Sequence, residues 1–424
     1  MEISEKNINY KDEIRIGIVG NIDAGKSTFV GVLSHNKLDN GRGEARERIM
    51  KHQHEIKTGR TSDIATQFLN YDTKIIELID LAGHEKYLKT TIKGIQSNII
   101  DYAGVIINAN SGIQIMTREH ISLVYTLKIP IFIVYTKIDI TPSNIYDTNL
   151  GYISTFITKQ LRLIPKCINT IADFTDVFAS YIEFENNRSK FIDNLIVPII
   201  PMSNTTGIGI DLIKYYLANL RQYRNYKDSI SKPVNFNIQT VYHVSGIGLV
   251  LSGLLISGKV HKNDILYLGP IHKSFDGYVK VLIRSIHDNF KTSIQTLYAG
   301  QNGCFNIKTI SHQNINVTLK REMITTGMRL LPIDTPISVM KFDARVRILH
   351  NPSTITKTYN PVIHCAGICQ TATIENMNKE YLRTNDEAQI TFKFMYHSEY
   401  IETGNIFVFR DGLTKGIGQI TKIY

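Results

Sequence analysis

The sequence predicts a three-part fold: an α/β domain on a mostly parallel sheet with helices on both faces, followed by two all-β barrel domains. One phosphate-binding signature and two changes of texture predict it. Between residues 14 and about 221, β-branched apolar runs (IRIGIVG, TKIIELIDL, YAGVIINAN, IPIFIVYTKID) alternate with longer mixed segments. That is the pattern of buried parallel strands joined by helical crossovers. A basic, tyrosine-rich stretch follows, RQYRNYKDSISKP, and the texture then changes to short runs such as VNFNIQTVYHV, GLVLSGLLISG and YVKVLIRSIH, spaced by Gly, Asn-Pro and Asp-Gly. Regularly spaced short runs with turn residues between them indicate small barrels or sandwiches. A second β-rich block starts near residue 340, after LPIDTPIS. The expected boundaries are a polar tail at 1–12, the α/β domain at 13–222, a linker at 223–232, and barrels at 233–338 and 339–424.

Composition agrees with this division. A chain of 424 residues has room for roughly two to four domains, each with its own core. Hydrophobic residues make up 43% and charged residues 20%, as in an ordinary soluble protein. No apolar run approaches the roughly 18 residues of a membrane helix. The start, MEISEKNINYKD, has neither the apolar core of a signal peptide nor the Arg-rich amphipathic character of a transit peptide. Four cysteines in this length argue for a reducing compartment. The expectation is a cytoplasmic monomer without membrane association. The net charge of +10 fits either an anionic partner or a basic but inert surface. The motifs must decide.

The first run leads into GNIDAGKST, residues 20–28, which contains G-x-x-x-x-G-K-[ST] complete. A buried-type strand precedes it and a helical pattern, STFVGVLSH, follows, which is the context the motif requires. In such a loop successive backbone N–H groups face phosphates, and the helix N-terminus adds partial positive charge. Gly20, Asn21, Ile22, Asp23, Ala24, Gly25, Lys26, Ser27 and Thr28 are therefore candidate nucleotide contacts. Lys26 would reach the β- and γ-phosphates, and the Ser27 hydroxyl would ligate Mg²⁺. The run TKIIELID then ends on Asp80, suited to the Mg²⁺ shell. Gly83 would bring a backbone N–H to the γ-phosphate, and His84 follows at once. HEKYL has Leu88 where a zinc protease needs its second histidine, so that chemistry is excluded.

The run IPIFIVYTKID carries Thr136, Lys137 and Asp139, resembling the N-K-x-D element of GTPases. An aspartate there accepts two hydrogen bonds from guanine that adenine cannot offer, at about 1.5–3 kcal/mol each. Thr136 replaces the usual Asn and keeps one donor. PIIPMSNTTG adds Ser203 and Asn204 where GTPases often have S-A-x.

Together, in this order, these elements resemble the translational GTPases of the elongation factor Tu and elongation factor 1-alpha group. Within it the chain looks like the branch called GTP-binding protein one and two. The residues carrying the second likeness are GNIDAGKST, LDNGRGEARERIMKHQHEIKTGRTS, DLAGHEKYLKTT, TKID, VSGIGLVLSG, LHNPSTITKTYNPVIHCAGICQTATI and VFRDGLTKGIGQITKI. Ala82 stands where most elongation factors carry proline. The resemblance implies GTP hydrolysed to GDP and phosphate, with Mg²⁺ held by Ser27, Thr61 and Asp80. It implies Thr61 as the switch I threonine, the 42–60 segment as a mobile switch, and His84 as the catalytic residue that orients water. Imidazole is a weak base, so orienting is the more natural role. Asp23 matches an aspartate beside the attacking water. Ile22 matches one half of an apolar gate whose other half is replaced by Arg60. Either the gate is absent or Arg60 has another role, such as contacting phosphate.

The implied partners are aminoacyl-tRNA, the ribosome or other RNA. A different class of reading is a GTP-gated adaptor for RNA-decay proteins, in which hydrolysis only resets the module. A third is a degenerate nucleotide binder, against which the full set Lys26, Ser27, Thr61, Asp80 and His84 argues. His364, Cys365 and Cys369 lack a fourth zinc ligand at motif spacing. On one strand, the two cysteines would share a face. A helix is expected at 145–163, with the polar patch EFENNRSK beyond it.

Overall fold

The computed structural model describes residues 11–49, 64–186, 195–222, 224–272, 277–310, 318–332, 338–411 and 414–424. Thr61, Arg60 and most of the expected switch lie outside the described residues. The chain divides into two compact units, residues 1–94 with 100–224, and residues 95–99 with 225–424.

In the first unit, strands β1 (Asp12–Gly20), β2 (Ala65–Asn70), β3 (Lys74–Asp80), β4 (Tyr102–Asn108), β5 (Ile131–Thr136), β6 (Ile164–Cys167) and β7 (Ile196–Met202) form one sheet in the order β2-β3-β1-β4-β5-β7-β6. Only the β2–β3 pair is antiparallel. β1 is buried at every residue after Asp12, as a central strand covered on both faces must be. The helices are α1 (Lys26–His35), α2 (Glu44–Glu47), α3 (Leu88–Ser97), α4 (Ile115–Thr126), α5 (Ser143–Phe156), α6 (Phe174–Asn186) and α7 (Ile210–Asn219). The helix expected at 145–163 starts two residues earlier, after Pro142. It continues as a π-helical turn over Ile157–Leu161 and ends on left-handed Arg162.

Sequence order along the sheet reverses beside β1. Loops after the C-terminal ends of the strands on either side of that point converge on one edge, where open α/β sheets bind ligands. Gly20, Asp80 and Thr136 each close a strand there, and Ser203 follows the last residue of β7. The opposite end of the sheet is held by charge. Arg15 and Asp101, both fully buried, pair at 3.3 Å, and Arg224 Nε lies 3.3 Å from the other Asp101 oxygen.

The second unit contains two barrels. Strands β8 (Asn235–Val244), β9 (Gly248–Ser257), β10 (Lys259–His261), β11 (Ile265–Ile271), β12 (Gly277–His287), β13 (Ser293–Ile294), β14 (Thr296–Tyr298), β15 (Asn302–Thr309) and β16 (Arg329–Leu331) make the first. Its main sheet runs β11-β16-β8-β9-β15-β12-β13, and a β11–β12 pairing closes six of these strands into a ring. Strands β17 (Lys341–His350), β18 (Val362–Cys365), β19 (Ile368–Met377), β20 (Glu387–Phe394), β21 (Ile406–Asp411) and β22 (Thr414–Ile423) close the second. β17 shows why it closes inward. Phe342, Ala344, Val346 and Ile348 are buried, whereas the residues between them are not, the period-two pattern of a barrel wall.

The H-C-x-x-x-C run is not one strand. It crosses the β18–β19 hairpin through Ala366 and Gly367, both at positive φ, so His364 pairs with Cys369 and Cys365 with Ile368. Cys365 is buried and Cys369 exposed. The expectation of a shared face fails because a turn between them breaks the strand's alternation.

Candidate functional site

The loop of residues 20–25 is set by its backbone. Gly25 caps α1 at φ 93°, a left-handed conformation that costs glycine nothing. Asp23 also sits at positive φ. Lys26 is buried, and its ammonium donates to the Asn21 carbonyl at 2.8 Å, folding the side chain back over the loop. Burial pushes this ammonium's pKa down, and Asp80 and then Asp23 oppose that shift. The Asn21 amide is held by Gln114 at the start of α4. Ser27 Oγ donates to Asp80 Oδ2 at 2.6 Å, and Asp80 is fully buried. A hydroxyl and a carboxylate thus meet at the foot of the loop.

The D-L-A-G-H segment lies against the same loop. A Cβ on Gly83 would fall 2.7 Å from the Gly20 carbonyl and on the Lys26 ammonium, so only glycine permits this approach. The Ala82 carbonyl accepts from the Thr91 hydroxyl at 2.7 Å, which ties the segment to α3. His84 is half-buried, and its Nδ1 accepts from the Lys86 amide at 3.1 Å. A neutral imidazole accepting at Nδ1 carries its proton on Nε2. Nε2 is therefore a donor in this arrangement.

Thr136 is fully buried, and its hydroxyl donates to the Ala24 carbonyl at 2.7 Å. It tethers the phosphate loop to the end of β5. Lys137 is left-handed and opens the short helix Ile138–Ile140 that presents Asp139. Asp139 is exposed, and the Thr205 hydroxyl donates to its Oδ2 at 2.8 Å. Thr205 Oγ1 also lies 3.0 Å from the Ser203 hydroxyl, whose oxygen accepts from the Thr206 amide at 3.1 Å. Asn204 is buried, and a Cβ on Gly25 would come 3.5 Å from its Nδ2.

Sequence reasoning missed several supports. His120 on α4 is fully buried, and its Nδ1 accepts from the Gly20 amide at 3.3 Å. Burial lowers its pKa to about 3, and the Lys26 charge adds to the shift. Nothing in TREHISL distinguishes this histidine from a surface one. Thr205 was equally silent. Asp39 was legible in principle, as an acid before glycines in LDNGRG. Its carboxylate accepts from the amides of Gly41, Gly43 and Ala45 at 2.9, 3.2 and 2.9 Å and so orders the turn leading into α2.

A glycine-rich loop between a buried strand and a helix, an acid at the neighbouring strand's end, and a base-side strand tethered to that loop define a nucleotide-binding protein of the GTPase class. The model of the elongation factor Tu GTP-binding domain matches residues 11–248. The chain belongs to that family, the translational GTPase superfamily. It is 36% identical to GTP-binding protein 1 of Xenopus laevis, over 97% of this chain and 63% of that one. It is 31% identical to GTP-binding protein 2 of Homo sapiens, over 97% of this chain and 69% of that one. The chain thus spans about two thirds of these relatives' length. Its fold is similar to the crystal structure of the S. cerevisiae Ski7 GTPase-like domain bound to GTP, with a TM-score of 0.73, 12% identity and coverage of 97% and 98%. Among the described residues, no helix is long and apolar enough to cross a membrane.

Proposed function

We propose that this chain binds GTP, hydrolyses it to GDP and phosphate, and works as a translation-factor-like switch on an RNA-containing partner, the ribosome with aminoacyl-tRNA or another RNA. The observation that carries this reading is the convergence of Lys26, Ser27, Asp80 and Gly83 at one edge of the sheet, with Ser27 Oγ 2.6 Å from Asp80 Oδ2. Backbone amides and Lys26 bind the phosphates. Two oxygen donors side by side are the chemistry a hard cation takes. Ser27 would hold Mg²⁺ directly and Asp80 beside it. Thr61 is the third proposed holder. When bound, the ion neutralises charge on the β- and γ-phosphates.

The Asp139 carboxylate selects guanine by accepting from its ring N–H and exocyclic amine. Thr205 fixes the carboxylate's orientation. Ser203 and Asn204 close the far side of the base pocket. His84 sits after the turn whose glycine approaches the phosphate loop. With its proton on Nε2 it donates to the attacking water and fixes that oxygen for in-line displacement. Imidazole is a weak base, so orienting the water is a more natural role than taking its proton. Unstimulated hydrolysis should then be slow, with the partner seating His84. The net charge of +10 supports a polyanionic partner.

The test is GTP turnover with and without ribosomes and aminoacyl-tRNA, beside GTP and ATP titrations. GTP binding in preference to ATP, with turnover raised by an RNA partner, is expected. Failure to bind GTP with Mg²⁺ would leave a degenerate nucleotide fold. GTP binding with retention of RNA-decay proteins after RNase treatment, and no response to ribosomes, would favour the adaptor reading.

A further inference from the structure

In the second unit, His272 follows β11 of the first barrel, and His397 and Glu399 follow β20 of the second. One ligand atom from each lies within 4.8 Å of the other two. Glu399 is buried and fixed by backbone pairing, its amide and carbonyl each bonding Val339 at 2.9 Å. From this cluster we infer a binding site for a divalent transition metal, with zinc the fitting ion, held by His272, His397 and Glu399 and joining the two barrels.

Proton counting supports it. Gln370 is buried, and its Nε2 lies 2.9 Å from Glu399 Oε1, 3.1 Å from the His397 carbonyl and 3.1 Å from His397 Nδ1. An amide nitrogen has two protons for these three acceptors. His397 Nδ1 and Glu399 Oε1 also face each other at 3.4 Å in a partly dry site. Something positive belongs between them, a proton or a metal ion. In a tetrahedron with bonds of about 2.0–2.1 Å, neighbouring donors stand about 3.3–3.4 Å apart, the separation found here. Gln370 supplies the support that metal ligands usually have. Its Oε1 accepts from the Tyr396 and His397 amides at 2.9 Å each, so one side chain orients two of the three ligands.

Two imidazoles and a carboxylate are an N/O set suited to zinc rather than to Mg²⁺ or Ca²⁺. A cavity of about 570 Å³, lined by His272, Met323, Met328, Met340 and His397, leaves room for a water as fourth ligand. One adjustment is required. The two rings stack with centroids 3.9 Å apart and planes within 11° of parallel. No ion can lie in both planes, so binding must turn the half-buried His272 ring out of the stack.

The experiment is Zn²⁺ titration by calorimetry of the whole chain with excess Mg²⁺ and GDP, together with Co²⁺ absorption spectra. One zinc per chain is expected, with Co²⁺ bands of tetrahedral intensity. His397→Ala and Glu399→Gln should each weaken binding at least tenfold while GDP binding persists, which reports that the chain is folded. If an alanine variant fails to fold, His272→Gln replaces it. The proposal is overturned if wild type binds no zinc below about 100 μM, or if these substitutions leave affinity and the Co²⁺ spectrum unchanged. In those cases a shared proton bridges His397 and Glu399, or the exposed Cys369 holds the ion.

Discussion

Replacing Thr136 by valine separates two roles for one hydroxyl. Sequence comparison with N-K-x-D places this residue beside the nucleotide. In the structure the hydroxyl has one proton, and its shortest acceptor is the Ala24 carbonyl at 2.7 Å, with the Ile107 carbonyl farther at 3.2 Å. Thr136 is fully buried. Valine keeps the shape and removes only the donor, and a buried acceptor that loses its partner costs about 1–3 kcal/mol. That cost divides between folding and the order of the phosphate loop. Since 1.4 kcal/mol is a factor of ten, the Kd for GTP and for GDP should rise together by about two- to tenfold, with the remainder appearing as a lower Tm. The GTP:ATP preference should not move, because Asp139 is untouched. Calorimetric titration with GTP, GDP and ATP, beside thermal melting, reads all of these. A collapsed GTP:ATP ratio with an unchanged Tm would refute the tether and return the hydroxyl to the base.

His84→Ala should leave GTP affinity within about twofold and abolish partner-stimulated turnover, since a water-orienting donor contributes to the transition state and not to ground-state binding; undiminished stimulated turnover in single-turnover assays would end that role. Asp101→Ala leaves the buried Arg15 charge uncompensated at the sheet's far end, a loss of about 3–5 kcal/mol. A large drop in Tm is expected, with the GTP Kd of the folded fraction unchanged because the cluster is remote from the nucleotide edge. His120 has a folded pKa of about 3 against an ordinary 6.5. Between those values the unfolded chain binds the extra proton, so stability is full above about pH 6.5 and falls as pH drops, by up to about 1.4 kcal/mol per unit. Denaturant melts of His120→Gln from pH 7 to pH 5 should show a shallower slope than wild type, and equal slopes would mean that His120 is not the proton acceptor.

Much of this protein was written in its sequence. The strand–loop–helix context of residues 20–27, the acid closing TKIIELID and the change of texture after residue 221 are local patterns. Each follows from backbone geometry and from which residues a buried strand accepts. The parallel sheet and the β-rich remainder were legible because burial on both faces and burial on one face leave different periodicities. Contacts between distant segments were not legible, because periodicity carries no partner. Thr205 reaches Asp139 across 66 residues and His120 reaches Gly20 across 100. Both supports use residue types that are ordinary on a surface. The same holds for Thr136, whose spacing pointed to the base and whose hydroxyl the packing of β5 against the phosphate loop sets on the Ala24 carbonyl. Local sequence determined where the chain turns and which groups it presents. Only tertiary structure decided which partner each buried polar group would take, because that choice depends on desolvation and on the nearest unsatisfied donor or acceptor in space.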